Sequence, residues 1–304
     1  MSTLKNLPTL AKVGLGFAAL LIPTILLGII VPSAGEGDFQ PQEEFRLEPY
    51  VTLEVGPLDL SPNKAVLYLV LAAGITLGLM LFIANRMQAR PNRTQTAVET
   101  AYTFMRDNIA RGNMDDAMAR RWFPFVATLF MFIWVSNMIG YIPLPLNTAH
   151  PIEVGGLKLP TFAIYAATAN ISVPLVLTLM VVVAYHVEGV RAKGPVKYVK
   201  GWVPAGVSGF AAFPIFLIEV ISQFVRIISL SVRLFANMLA GHLLILFMGG
   251  GLAVILGLAA LGYFTLPIAW VFFLFEIVLI ATLQAFIFAT LTAIYLGEAV
   301  AESH

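Results

Sequence analysis

Residues 215–242 read IFLIEVISQFVRIISLSVRLFANMLAGH, a run that is apolar except for a few widely spaced polar groups. It lies inside a longer apolar block, 208–297, whose formal charges are Glu219, Arg226, Arg233 and Glu276. The glycine triplet at 249–251 is the strongest turn signal, and it leaves two segments of roughly forty residues, about 60 Å each as α-helix. The hydrocarbon core of a bilayer is only about 30 Å thick. Because no polar loop interrupts the first segment, the pattern predicts two long, strongly tilted helices rather than four ordinary spans.

The composition of the whole chain excludes a soluble protein. Of its 304 residues, 59% are hydrophobic and 12% are charged, against about 45–50% and about 25% in ordinary globular domains. The net charge of +1 leaves no basic excess for nucleic acid. The sequence contains no cysteine, which excludes disulfides, thiolate metal sites and thiol nucleophiles. We therefore predict an all-α polytopic membrane protein without a cofactor.

Four further apolar segments precede the long block, at 13–31, 65–84, 123–142 and 162–185. Between the second and third, residues around 98–109 have the spacing of an amphipathic helix lying on the membrane surface. If the spans alternate, nearly all loop lysines and arginines fall on one side, which places the N-terminus in the cytoplasm and the acidic stretch 32–63 outside. The first segment is either a retained helix or a cleaved leader. We divide the chain into an N-terminal part, 1–63, and a membrane domain, 64–304.

The charges within the long block are costly in lipid, at about 2.5–3.5 kcal/mol each near the bilayer centre. Glu219, Arg226 and Arg233 are spaced by seven residues and share one helix face, together with Gln223 and Asn237. Arginine keeps its charge when it is desolvated, so it acts as a fixed positive potential that favours the ionised form of a nearby carboxylate.

Two readings of these charges stay open. Glu219 and Arg226 either pair with each other or lie near the interface, or they face an ion path. His242, on nearly the opposite face from Arg233, is either a hydrogen-bonded bundle residue or a proton carrier, as is Glu276.

Two sequence runs resemble a known family. Residues 229–242, SLSVRLFANMLAGH, resemble the signature helix of F-type ATP synthase subunit a, and residues 283–295, LQAFIFATLTAIY, resemble its last helix. Residues 95–99, QTAVE, and 168–172, TANIS, resemble its surface helix and a preceding span. The resemblance implies the stationary subunit of a rotary ATP synthase, which itself catalyses no bond making. Protons would reach the carboxylates of a c-ring through two offset half-channels.

The resemblance also implies roles for single residues. Arg233 matches the arginine that prevents a proton short-circuit between the half-channels. The other positions that it implies for proton translocation are Asn237, Gln284, Glu219, His242, Glu276, Asn170 and Arg226. The implied partners are the c-ring, the peripheral stalk of subunit b, the rest of the synthase and membrane lipid, with no nucleic acid. The expected location is a bacterial cell (inner) membrane, and the default ion is H⁺.

Two other functions share some of these features. Residues 206–209, GVSG, match the GxSG motif of rhomboid proteases, so Ser208 and His242 could form a serine–histidine dyad. An ion-coupled secondary transporter would also carry intramembrane charges, although the internal repeats typical of such proteins are not evident.

Overall fold

The computed structural model describes residues 45–56, 58–88, 91–154, 157–203, 207, 209–252 and 259–301. Within these ranges five helices are long and apolar enough to cross a membrane: Lys64–Arg86, Asp116–Gly140, Ser172–Lys193, Gly209–Gly251 and Phe264–Val300. The last two contain 43 and 37 residues, or about 64 Å and about 55 Å. The all-α membrane bundle with two long C-terminal helices is thus confirmed. The first apolar segment, 13–31, lies outside the described residues.

The first half of the described chain contains three helices whose starts are capped by side chains. Helix α1, Lys64–Arg86, begins where the Asn63 side chain accepts a hydrogen bond from the Val66 amide at 3.2 Å. Helix α2, Arg93–Phe104, is capped by Asn92 in the same way and continues as a π-helical segment, Met105–Ala110. Helix α3, Asp116–Gly140, is capped by Asp115. These side chains satisfy amides that the first turn of a helix leaves without partners.

The expected surface helix corresponds to α2 and its π-helical extension. No residue of α2 itself is buried, whereas Met105, Ile109 and Ala110 in the extension are. This segment therefore packs on the protein through its C-terminal end only.

The segment between α3 and the next helix differs from the sequence prediction. Instead of a short loop, two antiparallel strands form a hairpin, β3, Leu144–Val154, and β4, Leu157–Ala163. A smaller hairpin, β1, Glu54–Val55, and β2, Leu58–Asp59, precedes α1. The predicted span 162–185 is accordingly wrong at its N-terminal end, because the following helix, α4, covers Ser172–Lys193. The predicted span 123–142 likewise starts too late, because α3 begins at Asp116.

The described residues of the second half of the chain contain a short helix and three long ones. A positive-φ glycine, Gly194 (φ 80°), ends α4 and precedes α5, Pro195–Lys200. Helix α6, Ala212–Leu246, runs unbroken for 35 residues and passes into a π-helical segment, Phe247–Gly251. Helix α7, Ala259–Phe275, is joined to α8, Ala281–Val300, by a π-helical turn, Glu276–Ile280.

These elements belong to two compact units. The described part of the first covers 243–252 and 259–274, where the rings of Trp270 and Phe273 meet edge to face. The second covers 45–242 and 275–301 apart from its undescribed positions.

Small side chains allow close packing in the second unit. Helix α8 packs against α3 and α4 through a stripe of buried residues at helical spacing: Ala281, Ala285, Phe288, Ala289, Thr292, Ala293 and Leu296. On α3, a Cβ atom at Gly140 would clash with Ala166. This close packing holds α8 against the bundle and fixes the polar side chains that it carries.

Candidate functional site

Arg233 lies at the middle of α6 on a face that the rest of the described chain leaves exposed. Its Nη2 donates to the Ser229 hydroxyl at 3.4 Å, one turn earlier. Asn237, one turn later, is exposed as well. The row of residues Leu230, Leu234, Met238 and His242 on the same helix is buried. Among the described residues no carboxylate lies within ion-pair distance of Arg233, so the chain presents this guanidinium outward to whatever covers α6.

A polar cluster, which we call the first cluster, surrounds Glu219 near the start of α6. Gln223 donates from Nε2 to Glu219 Oε1 at 2.7 Å, and the Tyr185 hydroxyl of α4 donates to Gln223 Oε1 at 2.6 Å. Glu219, Gln223 and Tyr185 line a cleft of about 320 Å³, together with residues of α5 and the end of α8. The cleft joins a carboxylate within a membrane helix to the end of the bundle that carries the basic loop.

Arg226 lines the same cleft but does not bond to Glu219. Its Nη1 donates to Glu298 Oε2 at 2.9 Å, and its guanidinium lies 4.8 Å from the centre of the Tyr295 ring. The expectation that Glu219 and Arg226 pair with each other is therefore wrong. Sequence reasoning missed Glu298 because it lies 72 residues from Arg226 along the chain, beyond the reach of any helical spacing rule.

A second polar cluster surrounds Glu276 and His242, toward the C-terminal end of α6. The Tyr141 hydroxyl donates to Glu276 Oε2 at 3.1 Å, and the Tyr141 and His242 rings stack with centres 4.7 Å apart. His242 Nδ1 lies 2.8 Å from the Met238 carbonyl and its Nε2 lies 3.1 Å from the Gly140 carbonyl. All three side chains are buried.

Close packing places Glu276 in this cluster. Glu276 is the first residue of the π-helical turn between α7 and α8, and such turns occur frequently at functional sites. A Cβ atom at Gly241 would clash with the Glu276 carboxylate, so a larger residue at that point of α6 would displace the carboxylate. The sequence did not indicate the contact between Tyr141 and Glu276, because the two residues lie 135 positions apart.

A buried polar chain connects three elements next to the second cluster. The Thr168 hydroxyl donates to Asn137 Oδ1 at 2.7 Å, and Asn137 Nδ2 donates to the Ala281 carbonyl at 3.3 Å. One turn from Asn137, Trp134 Nε1 donates to the Thr282 hydroxyl at 3.1 Å. These bonds join α3 to the start of α8, and none of them was expected from the sequence.

The two remaining predicted residues lie on other elements. Asn170 precedes α4, where its Oδ1 accepts from the Ser172 amide at 3.0 Å, and it also bonds to Tyr165. Burial raises the pKa of Tyr165, in the loop before α4, to about 12. Gln284 is buried on α8. The structure thus groups Glu219 with Arg226 and Glu276 with His242, and leaves Arg233 and Asn237 on the exposed face.

The spacing along α6 separates the two clusters. Glu219 precedes Arg233 by fourteen residues and His242 follows it by nine, which corresponds to about 21 Å and about 14 Å along the helix axis. Nine residues also turn the helix by about half a revolution, so His242 and Arg233 lie on opposite faces. One helix therefore separates the two polar clusters, and between them lies the positive charge of Arg233, which has no ion-pair partner among the described residues.

Comparison with known proteins assigns the family. Residues 66–297 match the family described as ATP synthase A chain. The chain belongs to the ATP synthase subunit a family. It is 37% identical over 248 residues to ATP synthase subunit a of Rubrobacter xylanophilus, covering 81% of this chain and 87% of that protein. It is 36% identical over 269 residues to ATP synthase subunit a of Bradyrhizobium diazoefficiens, covering 87% and 98%.

Membership of the subunit a family disfavours the two other functions. The rhomboid reading needs a histidine nitrogen free to accept a proton, but both ring nitrogens of His242 face carbonyl oxygens. Ser208 lies outside the described residues. The five apolar helices identify a multi-pass membrane protein. Its family has a proton-transport role, and this membership does not favour an ion-coupled secondary transporter.

Proposed function

We propose that this subunit passes protons between the two sides of the membrane and the carboxylates of a c-ring, and that Arg233 keeps the two access paths apart. The observation that carries the proposal is the exposed guanidinium of Arg233, which lies on α6 between two separate polar clusters. A charge in lipid without a partner costs about 2.5–3.5 kcal/mol. A ring of carboxylates moving past α6 would supply such a partner.

The first cluster would form the cytoplasmic path. In its cleft Gln223 bonds to both Glu219 and Tyr185, and the Glu219 carboxylate would exchange its proton with water in the cleft. The cleft also reaches Lys193 at the end of α4, beside the basic loop that the charge distribution places in the cytoplasm.

The second cluster would form the path from the opposite side. Glu276 is its ionisable acid, and Tyr141 donates a hydrogen bond to that carboxylate. His242 fixes Tyr141 by ring stacking, and its ring N–H can donate to the Met238 or the Gly140 carbonyl. We assign Asn170 and the Thr168–Asn137 chain to the wall of this path, because they are polar groups beside the same end of α8.

Arg233 would control the protonation state of each ring carboxylate. A carboxylate beside the guanidinium is stabilised in its ionised form, so it releases its proton before it passes. It takes up a proton only after it has moved away toward the other path. Asn237 and Gln284 would complete the polar surface near this crossing, and Arg226 would line the first path.

The assembly and location follow from the same proposal. The c-ring would cover the exposed face of α6, and subunit b of the peripheral stalk and the rest of the synthase would hold the chain stationary. The ATP chemistry would belong to other subunits. We place the chain in a bacterial inner membrane with a cytoplasmic N-terminus if segment 13–31 is retained, with H⁺ as the transported ion and 64–304 as the membrane domain.

The test is ATP-driven proton pumping in inverted membrane vesicles that contain the assembled synthase. Arg233→Ala should abolish pumping, and Arg233→Lys should restore little of it because a lysine can lose its proton when it is desolvated. Arg191→Ala is the matched control, since Arg191 is an exposed arginine at the end of α4, outside both clusters. Normal pumping by an assembled Arg233→Ala complex would contradict the proposal.

A further inference from the structure

Glu219 and Arg226 line one cleft, yet each has a different partner. They lie seven residues apart on α6, almost two turns, so they share a helix face. Long side chains in a helix lean toward its N-terminus, which directs the Arg226 guanidinium toward Glu219. Instead, Arg226 Nη1 donates to Glu298 Oε2 on the separate helix α8 at 2.9 Å.

We propose that Glu298 is a positioning residue that holds Arg226 away from Glu219 and so leaves the Glu219 carboxylate able to exchange protons in the cleft. This inference rests on the proposed function, in which Glu219 belongs to the proton path. It adds to that function a residue at the end of α8 that itself carries no proton.

Two contacts hold the Arg226 guanidinium in its position, and two more fix the helix end that provides them. Glu298 accepts one hydrogen bond, and the face of the Tyr295 ring lies 4.8 Å from the guanidinium carbon, within the range of a cation–π contact. The end of α8 is fixed in turn, because Lys193 Nζ donates to the Ala301 carbonyl at 2.6 Å. A Cβ atom at Gly297 would clash with the Asn113 carbonyl, so the helix end also packs closely on the turn before α3.

Without Glu298 the nearest carboxylate in the cleft for Arg226 is that of Glu219. A guanidinium beside Glu219 would stabilise its ionised form and would displace Gln223, which offers only a neutral amide hydrogen bond. The charged groups that line the cleft are Lys193, Glu219, Arg226 and Glu298. Lys193 is already bonded to a backbone carbonyl, so Arg226 is the cation whose partner the loss of Glu298 would change.

The test measures the initial rate of ATP-driven pumping per assembled complex in inverted vesicles. Glu298→Gln should slow pumping about two- to fivefold, the factor that a partly exposed ion pair provides. Glu298→Asp should keep most of the rate because it retains the charge. The double variant Glu298→Gln with Arg226→Gln should pump faster than Glu298→Gln alone, since no guanidinium is then released toward Glu219. Asp116→Asn is the matched control, because Asp116 forms an exposed ion pair with Arg111 outside the cleft.

The outcomes separate this inference from the function on which it rests. Unchanged pumping in Glu298→Gln, failure of that variant to assemble, or a double variant that is no faster would each overturn the positioning role. Glu219→Gln is measured in the same vesicles. If Glu219→Gln pumps normally, the proposed function of Glu219 fails. If it stops pumping while Glu298→Gln has no effect, only the role of Glu298 fails.

Discussion

The ion pair between Arg121 and Glu188 joins α3 to α4, and its loss should destabilise the bundle. Arg121 Nη1 donates to Glu188 Oε1 at 2.7 Å, and the side chains are 54% and 5% exposed. Glu188 Oε2 is buried without a hydrogen-bond partner in the described part of the chain. Arg121→Ala would therefore leave a buried carboxylate with no bonded cation.

The magnitude follows from this unequal exposure. Removing one partner of a fully buried ion pair costs about 3–5 kcal/mol, whereas exposed pairs contribute about 0–1 kcal/mol. Because Glu188 is buried but Arg121 is half exposed, we expect a loss of about 2–3 kcal/mol. Taking about 2–4 °C per kcal/mol for sizeable proteins, Tm should fall by about 5–10 °C.

Thermal unfolding of the detergent-solubilised protein measures this loss. Arg120→Ala is the matched control, because Arg120 is the neighbouring exposed arginine of α3. Adding Glu188→Gln to Arg121→Ala should recover part of the stability, since a neutral amide costs less to bury than a carboxylate. The reasoning is refuted if Arg121→Ala and Arg120→Ala unfold at the same temperature.

Two further predictions concern the second cluster and the surface helix. Gly241→Ala should destabilise the protein by about 1–3 kcal/mol and slow proton pumping, because its Cβ would clash with the Glu276 carboxylate; Gly78→Ala, whose Cβ would meet open space, is the control in both assays. The hydrogen bond from Arg106 lowers the pKa of Asp107 from its ordinary value of 3.8. Stability from this pair is thus present above pH 3.8 and lost as the pH falls through the lower folded-state pKa, so the Tm difference between wild type and Asp107→Asn should shrink in acid. A difference that grew in acid would contradict this sign.

The periodicity of apolar residues was sufficient to predict the membrane helices but not every helix end. Residues 162–171 are apolar apart from Thr168 and Asn170, so hydropathy alone extends the helix backward. In the structure, residues up to Ala163 pair with β3, and α4 begins only at Ser172, whose amide donates to Asn170 Oδ1. Strand pairing depends on a partner nearly twenty residues away in the sequence, which local patterns do not report.

The polar groups on α6 were predictable and their partners were not. A seven-residue spacing is enough to place Glu219, Arg226 and Arg233 on one side of a helix. Tyr185 bonds to Gln223 across 38 residues and Tyr141 to Glu276 across 135, so these contacts depend on how the helices pack. The π-helical turn at Glu276 adds a further shift, because it changes the register in which the following side chains face the bundle.

The length of the helix that carries Arg233 bears directly on how one chain could keep two paths apart. The 35 residues of α6 would extend about 52 Å, so fitting them within a hydrocarbon core of about 30 Å requires a tilt of about 55°. At that tilt, the axial distance of about 35 Å between Glu219 and His242 corresponds to a lateral separation of about 28 Å. The distance between the two residues along the membrane normal is then about 20 Å. An upright helix would place the two clusters above one another and Arg233 directly between them. A tilted helix instead displaces them sideways, so a carboxylate carried along the membrane plane would meet one cluster, then Arg233, then the other.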